Sequence, residues 1–493
     1  MGRMSSVLPG IVLGGLVGCA QLAGIDDTTG VVTPDVVSLQ LEKISIGATV
    51  ARAPMDLTGL TAEYLVLDDA EADGIQHVPA DLRVPDMWSA EIPDGTPPIR
   101  FQTPDYPETV AKLWDFPLRN LIGLYGRMEH ANPEPAPMGA MLTLRSMLPS
   151  AFVATESFQL YTLGSWNLRS FGGAELPAVG ATAFGPLTFP FSSVASITGR
   201  PLEKLTTADA VLLLRYIGNR LTGVMEATPF DQTGADSIMG TMTAVAPTQT
   251  LDITVGPPAA VAQRFAPARP AMPALSMAWY LHAAPGFEVA NDNGPLLHAA
   301  SVLMADSGVI SATYGNPFVA KGWPTTLTWT TVATRTYMSA AQMLPIDLHA
   351  GLFQLAEPKA GMVLALPAGL PEVITIDGKP LSTDGLSIAK PTKPVKVTFV
   401  AGITNNTLYQ LQLYEIVPNT GGTALVQKIV LAATGTKAEF TLPPDLFVAG
   451  HFYNLRAHCI QGGYPDVAIG DLRRRELPIA VGYLDGGVFT VTP

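Results

Sequence analysis

Charge is what this sequence has least of: 14% of its 493 residues are Asp, Glu, Lys or Arg, against roughly 25% in an ordinary globular domain. With 47% apolar residues, that excludes an intrinsically disordered or coiled-coil chain, since both depend on a high charge content. Positive charge is the scarcer sign, and a net charge of −13 excludes a nucleic-acid surface built on clustered cations. The one basic run, Arg473-Arg474-Arg475, lies between Asp471 and Glu476 and reads as a solvated loop. Cysteine is nearly absent, with two in the chain, so no disulfide framework is available and the fold must rest on its cores. The seven histidines show no zinc-ligand spacing. No Gly-x-Ser-x-Gly elbow exists, because Ala235-Asp236-Ser237-Ile238-Met239-Gly240 has alanine where the first glycine belongs. Neither a catalytic nucleophile nor a cofactor motif is indicated.

Glycine and proline, by contrast, are abundant, at 46 and 43 residues. Prolines this dense leave little room for long helices or central α/β strands. The length suits about three domains of ~150 residues, and the expected class is all-β, with several β-sandwich domains in tandem and few short helices.

The amino terminus carries the most specific signal. Arg3 precedes an apolar stretch from Val7 to Val17, and eleven helical residues reach only about 17 Å of a ~30 Å hydrocarbon core, so this is a signal h-region and not a span. Leu16-Val17-Gly18-Cys19 follows at once and resembles the lipobox of bacterial lipoproteins. The resemblance implies diacylglycerol on Cys19, cleavage before it and, with Ala20 in place of aspartate, delivery to the outer membrane. Two or three acyl chains, at ~0.8 kcal/mol per buried CH₂, anchor stably where one does not. The start also fits a myristoylation pattern, but that pattern runs straight into the h-region. Residues 1–18 then form the signal peptide and 19–34 a lipidated tether. Removing Arg3 leaves the mature chain one unit more acidic.

Three regions follow. Residues 35–131 open on the alternating run Ser38-Leu39-Gln40-Leu41-Glu42-Lys43-Ile44-Ser45-Ile46 and close before a proline-rich exit at 132–137, which reads as a small β-sandwich. Within it, 107–114 reads as a short helix with proline in its first turn. Residues 138–365 hold strand-length runs at 142–147, 157–163, 210–217, 221–227 and 327–332. The run Val211-Leu212-Leu213-Leu214-Arg215-Tyr216-Ile217 fits a helix or a fully buried strand by period, and its neighbours favour the strand. Residues 295–304 are the best helix candidate, and the proline-rich 257–273 is a candidate split.

Residues 366–493 are the clearest. Val395-Lys396-Val397-Thr398-Phe399, Tyr409-Gln410-Leu411-Gln412-Leu413, 437–442 and 452–459 alternate as half-buried strands. Here the chain resembles a fibronectin type III domain, because Leu446-Phe447-Val448-Ala449-Gly450-His451-Phe452-Tyr453 is similar to that family's tyrosine corner. The resemblance implies a turn at Gly450 and a hydrogen bond from Tyr453 back across the corner. Ala449 replaces the usual proline, and Phe399 the usual buried tryptophan. The segment is expected to fold alone.

Candidate sites are few. Asp69, Glu71 and Asp73 alternate ahead of Gly74 as in the first half of a calcium loop, but the bidentate glutamate would fall at Ala80. A looser calcium site and a solvated acidic turn both fit. Glu71-Ala72-Asp73-Gly74-Ile75-Gln76 nearly matches a glycosidase motif, with Gln76 unable to serve as the second carboxyl. Tyr314, Phe318 and Trp323 in a Gly/Pro-rich loop are candidates for a stacking platform for sugars or peptides, while Trp329 shares strand parity with Leu327 and reads as core. Cys459 reads as a buried inert thiol, and His458, on the opposite strand face, as solvent-exposed. The expected function is that of an outer-membrane-anchored lipoprotein with a non-catalytic binding, adhesion or structural display role, facing the periplasm or the cell surface, with a protein or glycan partner and no nucleic acid. The alternative is a carbohydrate-active or other hydrolase carried in residues 138–365.

Overall fold

Alternation carries most of this chain into β-structure. The computed structural model describes residues 35–493 apart from short internal stretches, of which 103–110, 266–273 and 286–293 are the longest. The signal segment, Cys19 and the tether lie outside the described residues. Among those described, 34 strands form five sheets and Pro258–Gln263 is the one α-helix. No helix among them is long and apolar enough to cross a membrane. The fold is therefore all-β, with mixed sheets and minimal helix.

One 19-stranded sheet draws on all three sequence regions. From Thr61–Leu67 it runs through Ile99–Gln102 and Ala111–Asp115 to Leu425–Gly435, Leu408–Pro418, Phe452–Gly462 and Ile479–Thr492. It continues through Pro345–Ala356, Thr325–Met338, Ala274–Ala283 and Leu296–Val302 to Arg220–Glu226, Val211–Ile217 and Glu156–Thr162. Four smaller sheets of five, three, three and four strands each supply one wall of a core whose other wall is a stretch of the long sheet. Leu142, Leu144 and Ile238 thus meet Phe158, Leu160 and Leu213, while Leu251, Ile253 and Val255 meet Trp279, Leu281 and Trp329. Each such fully buried side chain contributes roughly 1.5–3 kcal/mol, which is how the chain folds without disulfides.

Two segments read as helices, 107–114 and 295–304, are strands in their described parts, residues 107–110 and 303–304 lying outside the described residues. Ala111–Asp115 pairs in parallel with Leu425–Gly435, putting Ala111 and Leu113 into one core and Trp114 into another. Leu296–Val302 pairs with Ala274–Ala283. In both, a neighbouring strand offers backbone partners that override local helical preference. Val211–Ile217 is the buried strand its neighbours indicate, with Leu213 in one core and Leu212 and Leu214 in the next. The proline-rich 257–273 does not divide a core, since Val255 before it, Phe265 within it and Met277 after it line the same one.

The carboxy-terminal region shares its interior. Leu65, Ile75, Ala111 and Leu113 pack among Leu413, Leu431 and Leu455, so residues of the first region help to line the core of the carboxy-terminal one. The corner itself is formed: Gly450 has φ 87°, and the buried Tyr453 hydroxyl accepts a 2.8 Å hydrogen bond from the Val448 amide. The ring lies 5.7 Å from Phe447 and 5.8 Å from Phe489. Tyr453→Phe keeps this packing and strands the amide donor, so urea denaturation should register a loss of about 1–3 kcal/mol. An unchanged midpoint would mean that water replaces the hydroxyl at no cost.

Candidate binding groove on the carboxy-terminal sheet

The four strands Leu408–Pro418, Leu425–Gly435, Phe452–Gly462 and Ile479–Thr492 have two unlike faces. One carries Leu411, Leu413, Leu455, Ala457 and Cys459 into the core, where burial pushes the Cys459 thiol up to about 12, as befits an inert thiol. On the other face the register sets Gln412 beside Arg456 and Arg456 beside Asp485, and in the next row Gln410, His458 and Tyr483. A row of polar and aromatic groups replaces a second apolar face.

Asp485 is fully buried and accepts four hydrogen bonds. Arg456 donates from Nε at 2.8 Å and Nη2 at 3.0 Å, the Asn454 side chain at 2.9 Å, and the His349 backbone at 2.7 Å. The guanidinium lies 5.2 Å from the centre of the Tyr414 ring and 5.4 Å from that of Tyr483, a cation–π sandwich that fixes its plane. Asp485 raises the Arg456 pKa despite burial. His458 is not the solvated side chain its strand parity suggested. It stacks on Tyr483 at 5.7 Å and meets Gln412 Oε1 at 3.2 Å.

Burial, helped by the Arg456 charge, pushes His458 down to about 3. A depressed basic pKa means the unfolded state takes up a proton first. Stability from a neutral His458 is therefore complete above about pH 6.5 and is lost as pH falls toward 3. Between pH 6.5 and 5 the wild type should lose up to about 1.4 kcal/mol per pH unit more than His458→Asn, read as the difference in denaturant midpoints. Parallel profiles would show that His458 is protonated in the folded chain.

Two clefts open beside this cluster. One, of about 450 Å³, lies between Pro345, Asp347 and His349 on one side and Val426 and Gln427 on the other, with Arg456 in its lining. The second, of about 530 Å³, shares Val426 and Gln427 and adds Tyr414, Val417 and Lys428. Gln427 Oε1 accepts from Arg456 Nη2 at 3.2 Å. Arginine has no acceptor, so the amide oxygen must face it and Nε2 must point away. That Nε2 is buried and has no hydrogen-bond partner among the described residues. Asp347 is exposed, one oxygen accepting from Thr336 Oγ1 at 2.6 Å, and His349 uses Nδ1 toward Thr334 at 3.2 Å.

The residues singled out in the sequence lie elsewhere. Asp69 reaches Lys393 at 3.3 Å with its side chain fully exposed, and Glu71 is exposed. Asp73 turns back to the Ile75 amide at 3.0 Å and to His77 at 2.8 Å. The three carboxylates do not converge, and no group of three metal-ligating side chains forms among the described residues. His77 bridges Asp73 and Glu63, and Arg100 joins Glu63 to Asp445, so this turn belongs to an ion-pair chain tying the first region to the corner. Arg473 likewise pairs with Asp471 and, at 2.5 Å, with Glu42.

Tyr314, Phe318 and Trp323 are buried at 6%, 2% and 2% exposure, which corrects the stacking platform. Asn316 folds their loop inward by accepting from the Phe318 amide at 2.8 Å, and the Phe318 and Trp323 rings stack at 4.8 Å. Trp329 lies in the core as its parity indicates. The sequence signal for the groove was the polar alternation Gln410, Gln412, Tyr414 and Arg456, His458 opposite apolar partners, a pattern shared by any solvated strand. No family model matches this chain, and no curated protein matches it in sequence.

Proposed function

We propose that this chain is an outer-membrane lipoprotein, anchored through acylated Cys19, whose β-sandwich modules, the last of them fibronectin type III-like, serve a non-catalytic binding role. The observation that carries the binding role is the groove beside Arg456: a guanidinium fixed by a buried carboxylate and two tyrosine rings, next to an unpartnered amide donor. Sites that bind well hold their contact groups in place through a supporting shell.

Repetition supports the modular reading. Asp35–Ile46 pairs in parallel with Asn120–Arg127, Met141–Met147 with Ala235–Thr241, Gln249–Val255 with Met362–Leu364, and Leu386–Ala389 with Ile479–Thr492. Four successive stretches thus each close a late strand onto an early one. The Tyr453 bond to Val448 supports the fibronectin type III likeness of the last.

The anchor is tested by fractionation. Cys19→Ala should abolish lipid labelling and leave the protein unprocessed or released from the outer-membrane fraction. A variant that is cleaved normally and still needs detergent for extraction would refute the lipoprotein assignment.

A further inference from the structure

We infer that the two clefts flanking Val426 and Gln427 form one groove for a neutral oligosaccharide, an inference that rests on the binding role proposed above and names its ligand class. The chemistry of the lining selects among ligand types. Asp347 supplies an acceptor on one wall. On the other side stand the donor-bearing side chains of Gln427, Lys428 and Arg456, the Gln427 Nε2 buried and without a hydrogen-bond partner among the described residues. His349 keeps Nε2 after Nδ1 meets Thr334.

A simple anion would meet Asp347 and a chain of net charge −13, while a simple cation would meet Arg456. A sugar hydroxyl donates and accepts at once, and adjacent hydroxyls on one ring match a carboxylate facing an amide and a guanidinium. Apolar surface for the C–H faces is present too: Val426, 43% exposed, lies at the junction of the clefts, with Pro345 on one side and Val417 on the other. Tyr414 lines the second cleft. Each cleft has a volume in the roughly 300–1,000 Å³ range of ligand sites, and the two lie side by side about Val426 and Gln427, which suits an extended chain of sugar units over one compact molecule. Because Asp485 and the tyrosines already hold Arg456, little side-chain ordering is left to oppose binding.

The test uses the full-length chain in detergent on a printed array of neutral oligosaccharides, followed by titration calorimetry with the best-bound glycan. Binding should be found, and it should weaken at least tenfold in both Asp347→Ala and Gln427→Ala. Both positions are off the Asp485 carboxylate, and unchanged thermal midpoints would establish that the variants fold. Absence of binding across the array, retention of acidic glycans or peptides alone, or glycan binding that survives both substitutions would each overturn the inference. These outcomes leave the Cys19 fractionation result untouched, so failure of the sugar assignment is separable from failure of the anchored-lipoprotein reading. Asp347→Asn, which keeps an oxygen acceptor, should restore much of the affinity lost in Asp347→Ala.

Discussion

Asp485→Ala should cost about 3–5 kcal/mol of folding stability. The carboxylate is fully buried, and its four donors come from Arg456, Asn454 and the His349 backbone. Truncation leaves Arg456, 19% exposed, as a largely desolvated cation with no counter-charge, and leaves the His349 amide without its acceptor. Each is a loss of the kind that is expensive because the remaining partner cannot return to water. Asp485→Asn keeps the shape and one oxygen but turns an NH₂ group toward donors, so it should fall between wild type and alanine. Urea denaturation of the three chains at pH 7 measures this, with Asp347→Ala as a surface control within about 0.5 kcal/mol of wild type. A penalty for Asp485→Ala below about 1 kcal/mol would mean that water reaches the cluster, and the rigidity attributed to the groove floor would go with it.

The elements legible in the sequence were those whose burial is one-sided or complete. Leu411 and Leu413 alternate with Gln410 and Gln412 because one face is core and the other is not. Leu212, Leu213 and Leu214 run together because their strand is buried on both faces, and Tyr453 was legible because its corner is local. What could not be read was set by partners far along the chain. Ala111–Asp115 looks helical until Leu431 is placed beside Ala111. Arg100 looks like a surface cation until it meets Asp445, 345 residues away. The groove was illegible for the same reason, since it takes Asp347 and His349 from one region and Gln427 and Arg456 from another. Tyr314, Phe318 and Trp323 misled because aromatic residues in a Gly/Pro-rich loop suggest exposure, whereas Asn316 pins that loop onto the core.

Arg215 is a charge inside an apolar run, and a buried charge requires a partner. That partner is Glu156, with Nη2 at 2.6 Å and 2.7 Å from its two oxygens and both side chains 2% exposed. The guanidinium also donates to the Ser150 and Ala151 carbonyls at 3.2 Å, and Glu156 accepts from the Val153 amide at 3.0 Å, so the pair ties the loop at 150–153 to the strand pair beneath it. Removing either partner alone strands a charge in the interior, and Arg215→Met or Glu156→Leu should each cost about 3–5 kcal/mol. Replacing both with apolar groups of similar volume, Arg215→Met with Glu156→Leu, removes the charges together and should recover most of that loss, because the desolvation cost of a buried pair rivals its attraction. Arg215 Nε, buried without a hydrogen-bond partner among the described residues, adds to that cost in the native pair. Denaturant midpoints of the four chains form a double-mutant cycle whose coupling should exceed about 2 kcal/mol. Additive losses in the doubly substituted chain would mean that the two side chains stabilise the fold separately, through packing and the loop contacts, and not as an ion pair.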